Sequence, residues 1–443
     1  MGKIRQEREY ENKKKQLLYV GVGVGIAAVV IAIALCIGLI LGGPSSTVPT
    51  ENPSSSQEES SSDTDVETGS SETEDTASEI ESESEPESIP EPEQIRIMMV
   101  GDMLMHDRIN TSALKEDGTH NFDHLFTHTT EYLQSADIAM VNQETIMGGK
   151  KWGYTGYPTF NTPFELADAE VKAGFNVILH ATNHTTDKGV QAVYDCMELW
   201  ETNYPEVKYL GMHKSQEDQD TIYVYEQDGM KVAILNYTLG INGYYGYGGN
   251  KTLPADKPFL IDFMRKGVSE QRIIADIKKA EELADFTIVC PHWGTEYLLT
   301  ADKTQKYWAN LFLENGVDLV IGAHSHCPEP VEWLTHENGN QMLVYYSLGN
   351  YVNGTSSTNG NLAQRMVGGI ADVIIQRDEN GKVVIVENTV TPIVCHIAEG
   401  DAYTVYFLKD YTEELAKENR IILQDSKFSL QACWDVVHQV WGE

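Results

Sequence analysis

Ile321-Gly322-Ala323-His324-Ser325-His326 decides how the chain is read. Two histidines, one residue apart, close an apolar run of Val317, Leu319, Val320 and Ile321. Such a run, stopping abruptly in a polar turn, predicts a buried strand that delivers its last residues to the rim of a sheet. Two imidazoles placed there can face one small volume, and neutral ring nitrogens suit Zn, Mn, Fe or Ni. Alone, the pair is as consistent with a polar strand end as with a metal site.

The same pattern recurs along the chain. The apolar runs are IRIMMV (95–100), DIAMV (137–141), NVILHA (176–181), MKVAILNY (230–237), FTIVC (286–290), DLVIGA (318–323) and MLVYYSL (342–348). Several of them end in polar clusters. Val100-Gly101 leads to Asp102 and then His106, and DIAMV to Asn142-Gln143-Glu144. NVILHA runs into Asn183-His184 and Asp187, FTIVC into His292, and YYSL into Gly349-Asn350. Singly, Asp102 or Glu144 could cap a helix and Asn183 could form a turn. Ligand sites of open α/β sheets gather outside the carboxyl ends of strands, so clusters in the same place on five strands can converge. Asp, Glu, Asn and three His, without a required thiolate, fit two divalent ions such as Mn, Fe or Zn. Two such ions roughly 3.5–4 Å apart clamp an oxyanion and activate water.

Helices fall between the runs. Thr162-Pro163-Phe164-Glu165 has the form of a capping box, with Gly174 to close its helix. Trp308 and Phe312, within 302–315, have helical spacing and are expected in the core. Residues 368–394 read as antiparallel strands joined at Glu379-Asn380-Gly381. Mixed α and β with many strands predicts an α/β sandwich.

Charge and hydropathy divide the 443 residues. Leu17 to Leu41 carries no charge, and at about 1.5 Å per residue it outspans the roughly 30 Å hydrocarbon core. It therefore reads as a transmembrane helix (17–41) after a cytoplasmic N-terminus (1–16). Arg5, Arg8 and Lys13 to Lys15 precede the span, which keeps that end inside the cell and exports the rest. Residues 44–94 hold sixteen Asp/Glu and no Lys or Arg among Ser, Thr and Pro. This composition cannot offset its ordering entropy, so 42–94 is expected to be a disordered linker. The remainder, 95–443, is expected to form the extracellular domain. Its net charge of −22, within a total of −35, argues against nucleic acid as a partner. The five cysteines beyond the span show no CxxC spacing and imply no disulfide framework; Cys290 and Cys327 read as small buried residues beside a site.

Together these motifs resemble the calcineurin-like metallophosphoesterases: aspartate, second carboxylate, Asn-His, His, then His-x-His. More closely the chain resembles the CapA family of poly-γ-glutamate capsule proteins, through VGDMLMH (100–106), ADIAMVNQET (136–145), FNTPFELADAEVKAGFNVILHATNHTTDKG (160–189), HWGTEY (292–297), GVDLVIGAHSHCPEPVEW (316–333) and YYSLGNYV (345–352). The resemblance implies a four-layer α/β/β/α sandwich with Asp102, Glu144, Asn183, His292, His324 and His326 as metal ligands. His106 joins this candidate set, and His184, beside Asp187, takes the role of general acid. Two departures alter the ligand geometry: Leu104 stands where the phosphoesterase pattern has His, and Gln143-Glu144 replaces Gly-Asp. The function so implied is a membrane-anchored, metal-dependent hydrolase or transferase of capsule or surface-polymer synthesis, with membrane synthase subunits as partners. The alternative is a non-catalytic accessory subunit for export or retention of an anionic polymer. Two Gly/aromatic loops, 148–157 and 240–250, offer a substrate rim. There Lys150, Lys151 and Tyr245 are the candidate contacts for an anionic polymer or small anionic substrate.

Overall fold

The structure, a computed structural model, describes residues 93–242, 253–356 and 360–442. The expected N-terminal segment, membrane helix, most of the linker and Tyr245 lie outside the described residues. No helix among the described residues is long and apolar enough to cross a membrane.

All seven apolar runs form strands, and they belong to two sheets. In the first, β1 (Gln94–Leu104), β2 (Ile138–Asn142), β3 (Val177–Leu179) and β4 (Lys208–Leu210) run parallel. The second holds β5 (Tyr223–Gln227), β6 (Met230–Thr238), β7 (Phe286–His292), β8 (Leu319–Ile321), β9 (Val331–Thr335) and β10 (Gln341–Tyr345), in the order β5-β6-β7-β8-β10-β9. β11 (Asn350–Asn353) returns to the first sheet and pairs with the end of β1. β12 (Val367–Arg377), β13 (Val383–Ile397) and β14 (Tyr403–Phe407) extend that sheet antiparallel beyond β1. The expected hairpin at Glu379-Asn380-Gly381 is the β12–β13 connection.

The central strands are apolar throughout because both of their faces are buried. On β1, Ile95, Ile97 and Met99 face the second sheet, where they meet Ile234, Ile288, Ile321 and Tyr345. Met98 and Val100 face the other way. There they join a core with α1 (Glu165–Ala173), α2 (Val190–Asn203) and α5 (Leu430–Val440), built on Leu166, Trp200 and Val437. Behind the second sheet, α3 (Glu270–Leu283) and α4 (Lys303–Glu314) bring Ile273, Ile277, Trp308 and Phe312 onto Val289, Val320 and Val344. Helices therefore cover the outer face of each sheet. Trp308 and Phe312 are fully buried, as expected.

Local signals at the helix ends fared unevenly. Gly174 closes α1 in the left-handed conformation. The capping box expected at Thr162 is not formed, because α1 starts at Glu165 behind Phe164. The Thr162 hydroxyl pairs instead with that of Thr145 at 2.9 Å. A complete capping box does open α4, between Asp302 and Gln305.

Gly101 lets β1 approach the segment that enters β11. A Cβ there would lie 1.9 Å from the Gly349 carbonyl oxygen, the group that accepts the Asp102 N–H at 3.0 Å. Gly101→Ala should lower the unfolding free energy by roughly 1–3 kcal/mol or more. Denaturant titration checks this, and a loss under about 0.5 kcal/mol would remove the close-approach argument.

Glu329 ties three layers together. Its carboxylate accepts from Gln305 Nε2 of α4, its carbonyl from Trp441 Nε1 just after α5, and its N–H reaches Ser347 O. Burial, with help from Asp302, pushes its carboxyl up to about 8. The folded state thus keeps a proton that the unfolded chain loses near pH 4.3. This contribution to stability is complete below about pH 4 and is lost as pH rises through about 8. Asp318, raised to about 7 by burial, acts with the same sign. Glu329→Gln should flatten the decline in stability between about pH 5 and 9 in urea melts; an unchanged profile would assign the decline to other groups.

Candidate metal centre

Asp102 is the first residue of the site and its lattice point. The register of β1 places Asn142 of β2 opposite it on one side and Asn350 of β11 on the other. Asn142 Nδ2 donates to Asp102 Oδ1 at 2.8 Å and stands 3.2 Å from His292 Nδ1. The turn after β8 then folds back over this carboxylate. His324 N–H donates to Asp102 Oδ1 at 3.1 Å, and His326 Nδ1 lies 3.1 Å from both Asp102 Oδ2 and Asn350 Oδ1. His324 and His326 have φ of 98° and 56°. Left-handed backbone costs a non-glycine residue roughly 1–2 kcal/mol, so two such residues persist only where the surroundings over-determine them. The bonds to Asp102 supply that constraint.

Around Asp102 the other strand ends converge. The ligand atoms of Glu144, His292 and His324 lie within 4.8 Å of one another, and so do those of Asp102, Glu144 and His326. Glu144 belongs to both groups. Asn183 presents Oδ1 3.1 Å from His292 Nε2, and His324 Nδ1 is 3.0 Å from that same nitrogen. Six of the seven expected ligand positions are therefore brought together.

The electrostatics of the cluster fit a cation. Glu144 is fully buried and neither of its carboxylate oxygens has a hydrogen-bond partner. Burial first, and Asp102 second against the pull of His326, raise its carboxyl well above the usual range. Burial opposes the His326 imidazolium, but Glu144 and Asp102 prevail and raise it to about 10. Burial, then the neighbouring imidazoles, lower His324 to about 3 and push His292 down as well. Neutral imidazoles facing each other at 3.0 Å can share only one proton. An unbonded carboxylate between them is a costly arrangement in apolar surroundings. The donor set of carboxylate oxygens, an amide oxygen and imidazole nitrogens suits a divalent ion, which would satisfy all of these groups.

Beside the cluster stands an imidazole–carboxylate pair. His184 Nδ1 is 2.7 Å from Asp187 Oδ2, which also accepts the Phe160 N–H at 2.7 Å. His184 Nε2 is thereby left on the side of Glu144, 4.0 Å from Oε1. The Phe160 ring meets the imidazole edge-on with centroids 4.6 Å apart.

Two cavities open onto the cluster and share Asn242 and Glu296. One, of about 570 Å³, reaches Asn183 and His324 and has apolar walls that include Leu239, Ile241 and Phe263. The other, of about 590 Å³, reaches His184 and His326 and is lined by His106, Tyr157, Tyr297, Thr355 and Arg365.

Lys150 and Lys151 fall elsewhere, and His106 lines the second cavity without joining the cluster. His106 is not in either ligand group. Its Nδ1 lies 3.1 Å from both Leu104 O and the Gly354 N–H that donates to it, which turns this edge to the backbone. Burial lowers it to about 4. Lys150 and Lys151 line a separate hollow against α2, where Lys151 pairs with Asp195 at 2.7 Å. From the same loop it is Tyr157 that reaches the cavity. Sequence reasoning left four residues of the site without a role. Asn142 and Asn350 stood at strand ends where a role was readable. Tyr297 and Arg365 carried no local signal. Cys290 and Cys327 are buried beside the site, as expected.

Comparison with known proteins gives a consistent result. Residues 96–355 match the family described as "Bacterial capsule synthesis protein PGA_cap". The chain is 27% identical over 266 residues to capsule biosynthesis protein CapA of Bacillus anthracis, covering 59% of this chain and 60% of that one. It is 26% identical over 267 residues to PGA biosynthesis protein CapA of Bacillus subtilis, covering 57% and 62%. The match thus spans about three-fifths of the length of these relatives. Among solved structures, NAD nucleotidase of Haemophilus influenzae overlays with a TM-score of 0.40 at 10% identity, covering 78% of this chain and 59% of that chain. That overlap is loose, and the family assignment rests on the sequence matches.

Because Glu144 belongs to both ligand groups, Glu144→Gln should lower the stoichiometry of bound divalent metal more than His324→Ala or His326→Ala. Elemental analysis of the purified chain, with affinities falling about tenfold or more, checks this. Wild-type stoichiometry in Glu144→Gln would sink the shared-ligand geometry.

Proposed function

Because the chain belongs to the PGA_cap family of bacterial capsule synthesis proteins, we propose that it acts at the cell surface in making or processing poly-γ-glutamate or a related anionic polymer, as a metal-dependent hydrolase or transferase. The observation that carries this reading is Glu144, a buried carboxylate with no hydrogen bond, facing His292, His324, His326 and Asp102. Asp102, Glu144, Asn183, His292, His324 and His326 would hold two divalent ions, Mn, Fe or Zn. When bound, such ions polarise the scissile amide or phosphoester and lower the pKa of water.

The chain's own residues supply the rest. Asp102 fixes the His-x-His turn, so the imidazoles need no rearrangement when a ligand arrives. Asp187 accepts from His184 Nδ1 and orients the ring so that Nε2 is the edge turned to the cluster, the atom from which the imidazolium would pass a proton to a leaving group. Phe160 packs edge-on against the imidazole and holds its plane. With a −22 body, extended binding of a polyanion along the surface is repelled, so contact is local, at the cationic centre. Residues 17–41 would anchor the chain in the cell membrane with its N-terminus in the cytoplasm, beside membrane synthase subunits.

One observation favours the accessory reading, in which the protein exports or retains polymer without chemistry. Leu104, in place of the histidine of the phosphoesterase pattern, puts an apolar side chain into the cavity beside His106. The two readings separate at His184. His184→Ala should keep metal and fold but reduce turnover by roughly 10²–10⁴, and Asp187→Asn should reproduce part of the defect. The assay uses phosphoesters, γ-glutamyl amides and polyglutamate with Mn, Fe and Zn. Normal surface polymer in cells carrying His184→Ala, with loss in the ligand variants, would replace the enzymatic reading by the accessory one.

A further inference from the structure

Arg365 has a place that the chemistry above does not use. Arg96, Arg272, Arg377 and Arg420 each pair with a carboxylate. Among the described residues no carboxylate pairs with Arg365, although the protein is strongly acidic. Its guanidinium carbon lies over the Tyr297 ring, 3.6 Å from the centroid. Its Nη1 donates to Thr355 Oγ1 at 3.1 Å. The residue lines the same cavity as His184 and His326.

Both partners of this stack are fixed to the metal cluster. The Arg365 carbonyl accepts from Asn350 Nδ2 at 3.0 Å and Asn353 Nδ2 at 2.8 Å, and Asn350 is the residue whose Oδ1 meets His326. Tyr297 sits at φ 68°, with its N–H donating at 2.7 Å to the carbonyl of Ser325, the residue between the two histidines. Its ring lies 5.8 Å from that of His326. A non-glycine residue in that conformation is backbone strain held in place by its surroundings. The result is a rigid cation, pressed on an aromatic face, at a set distance from the cluster.

We infer that this cavity is a recognition subsite for a second oxyanion of the substrate, a carboxylate or a phosphate, with Arg365 as its counter-charge and specificity-determining residue. The inference rests on the reading that the reacting group sits at the metal cluster. A planar guanidinium presents parallel N–H donors that match either oxyanion in two-point contact, and Tyr297 fixes the plane. The volume of about 590 Å³ holds a group the size of one or two amino acids. Glu296 lies at the junction with the apolar cavity, while Thr355 marks the Arg365 end, so the two ends of the cavity differ in sign. The substrate class is therefore one with a negative charge close to the bond at the cluster, as at the end of a γ-glutamyl chain or in a phosphoester that bears another anion.

The test is calorimetric binding to the full-length, metal-loaded chain. The probes are γ-glutamyl-glutamate, the same dipeptide with its carboxylates converted to amides, and inorganic phosphate. Arg365→Gln should weaken binding of the dipeptide or phosphate by roughly 10- to 100-fold. Metal content and amide binding should be unchanged, and Arg365→Lys should restore part of the affinity. A larger loss for the dipeptide points to a polymer end, and a larger loss for phosphate to a phosphoester. His324→Ala separates this inference from the reading it rests on. Anion binding that survives His324→Ala but not Arg365→Gln supports the subsite even if the metal chemistry fails. Wild-type anion affinity in Arg365→Gln, an equal loss for the amide probe, or no anion binding to the wild-type chain would overturn it.

Discussion

The Asp102 carboxylate is the constraint on which the rest of the structure depends. It is fully buried at the end of β1, and it takes the Asn142 amide from its own sheet and the His324 N–H and His326 ring from the other. Removing it would leave the His324 N–H without its acceptor in apolar surroundings, at about 1–3 kcal/mol, and would leave Asn142 Nδ2 and His326 Nδ1 with one neighbour each, His292 and Asn350. It would also release two residues from left-handed backbone. The apolar core between the sheets could survive that loss, since it is built from other side chains. The site could not. A single carboxylate thus joins polar strand ends of the two sheets.

Glu144 is the opposite case. Both Asp102 oxygens accept hydrogen bonds, whereas Glu144 has none on either oxygen. Polar groups left so in a buried site are rare and costly, and they concentrate where a ligand completes them. The surrounding charges are balanced accordingly. Neutral His292 and His324 stand on one side, and His326, drawn towards its charged form by Glu144 and Asp102, on the other. Arg365 extends this balance outward. It is the cation on the wall of the cavity that reaches His184 and His326.

Where sequence reading succeeded, the signal was a period. β1 buries alternate residues in two different cores, so the run IRIMMV has no polar face and its end is marked by the first residue that must be polar. The same logic located Glu144, Asn183, His292 and the His-x-His turn. It failed where a residue's role depends on a neighbour distant in sequence. Lys150 and Lys151 are cationic and lie in a glycine-rich loop, but Asp195 of α2 draws Lys151 away. His106 has the right residue type near the right strand, yet the backbone at Leu104 and Gly354 occupies its Nδ1. Thr162 has the spacing of a cap, but Thr145 offers it a better partner.

The sequence by itself determined an α/β sandwich of buried strands, their polar ends, the carboxylate, amide and imidazole residue types gathered there and the membership of a capsule-protein family. Each of these is written in local pattern or in residue type, which no packing decision can change. Only the tertiary structure decided that Glu144 bridges two ligand groups, that Asn142 and Asn350 flank Asp102, and that Arg365 rather than a lysine supplies the cation of the cavity. Those facts depend on register across β1, β2 and β11 and on a loop crossing, so they link residues up to 249 positions apart. Chain order carries no record of such contacts, because the free energy that selects them is that of the packed whole.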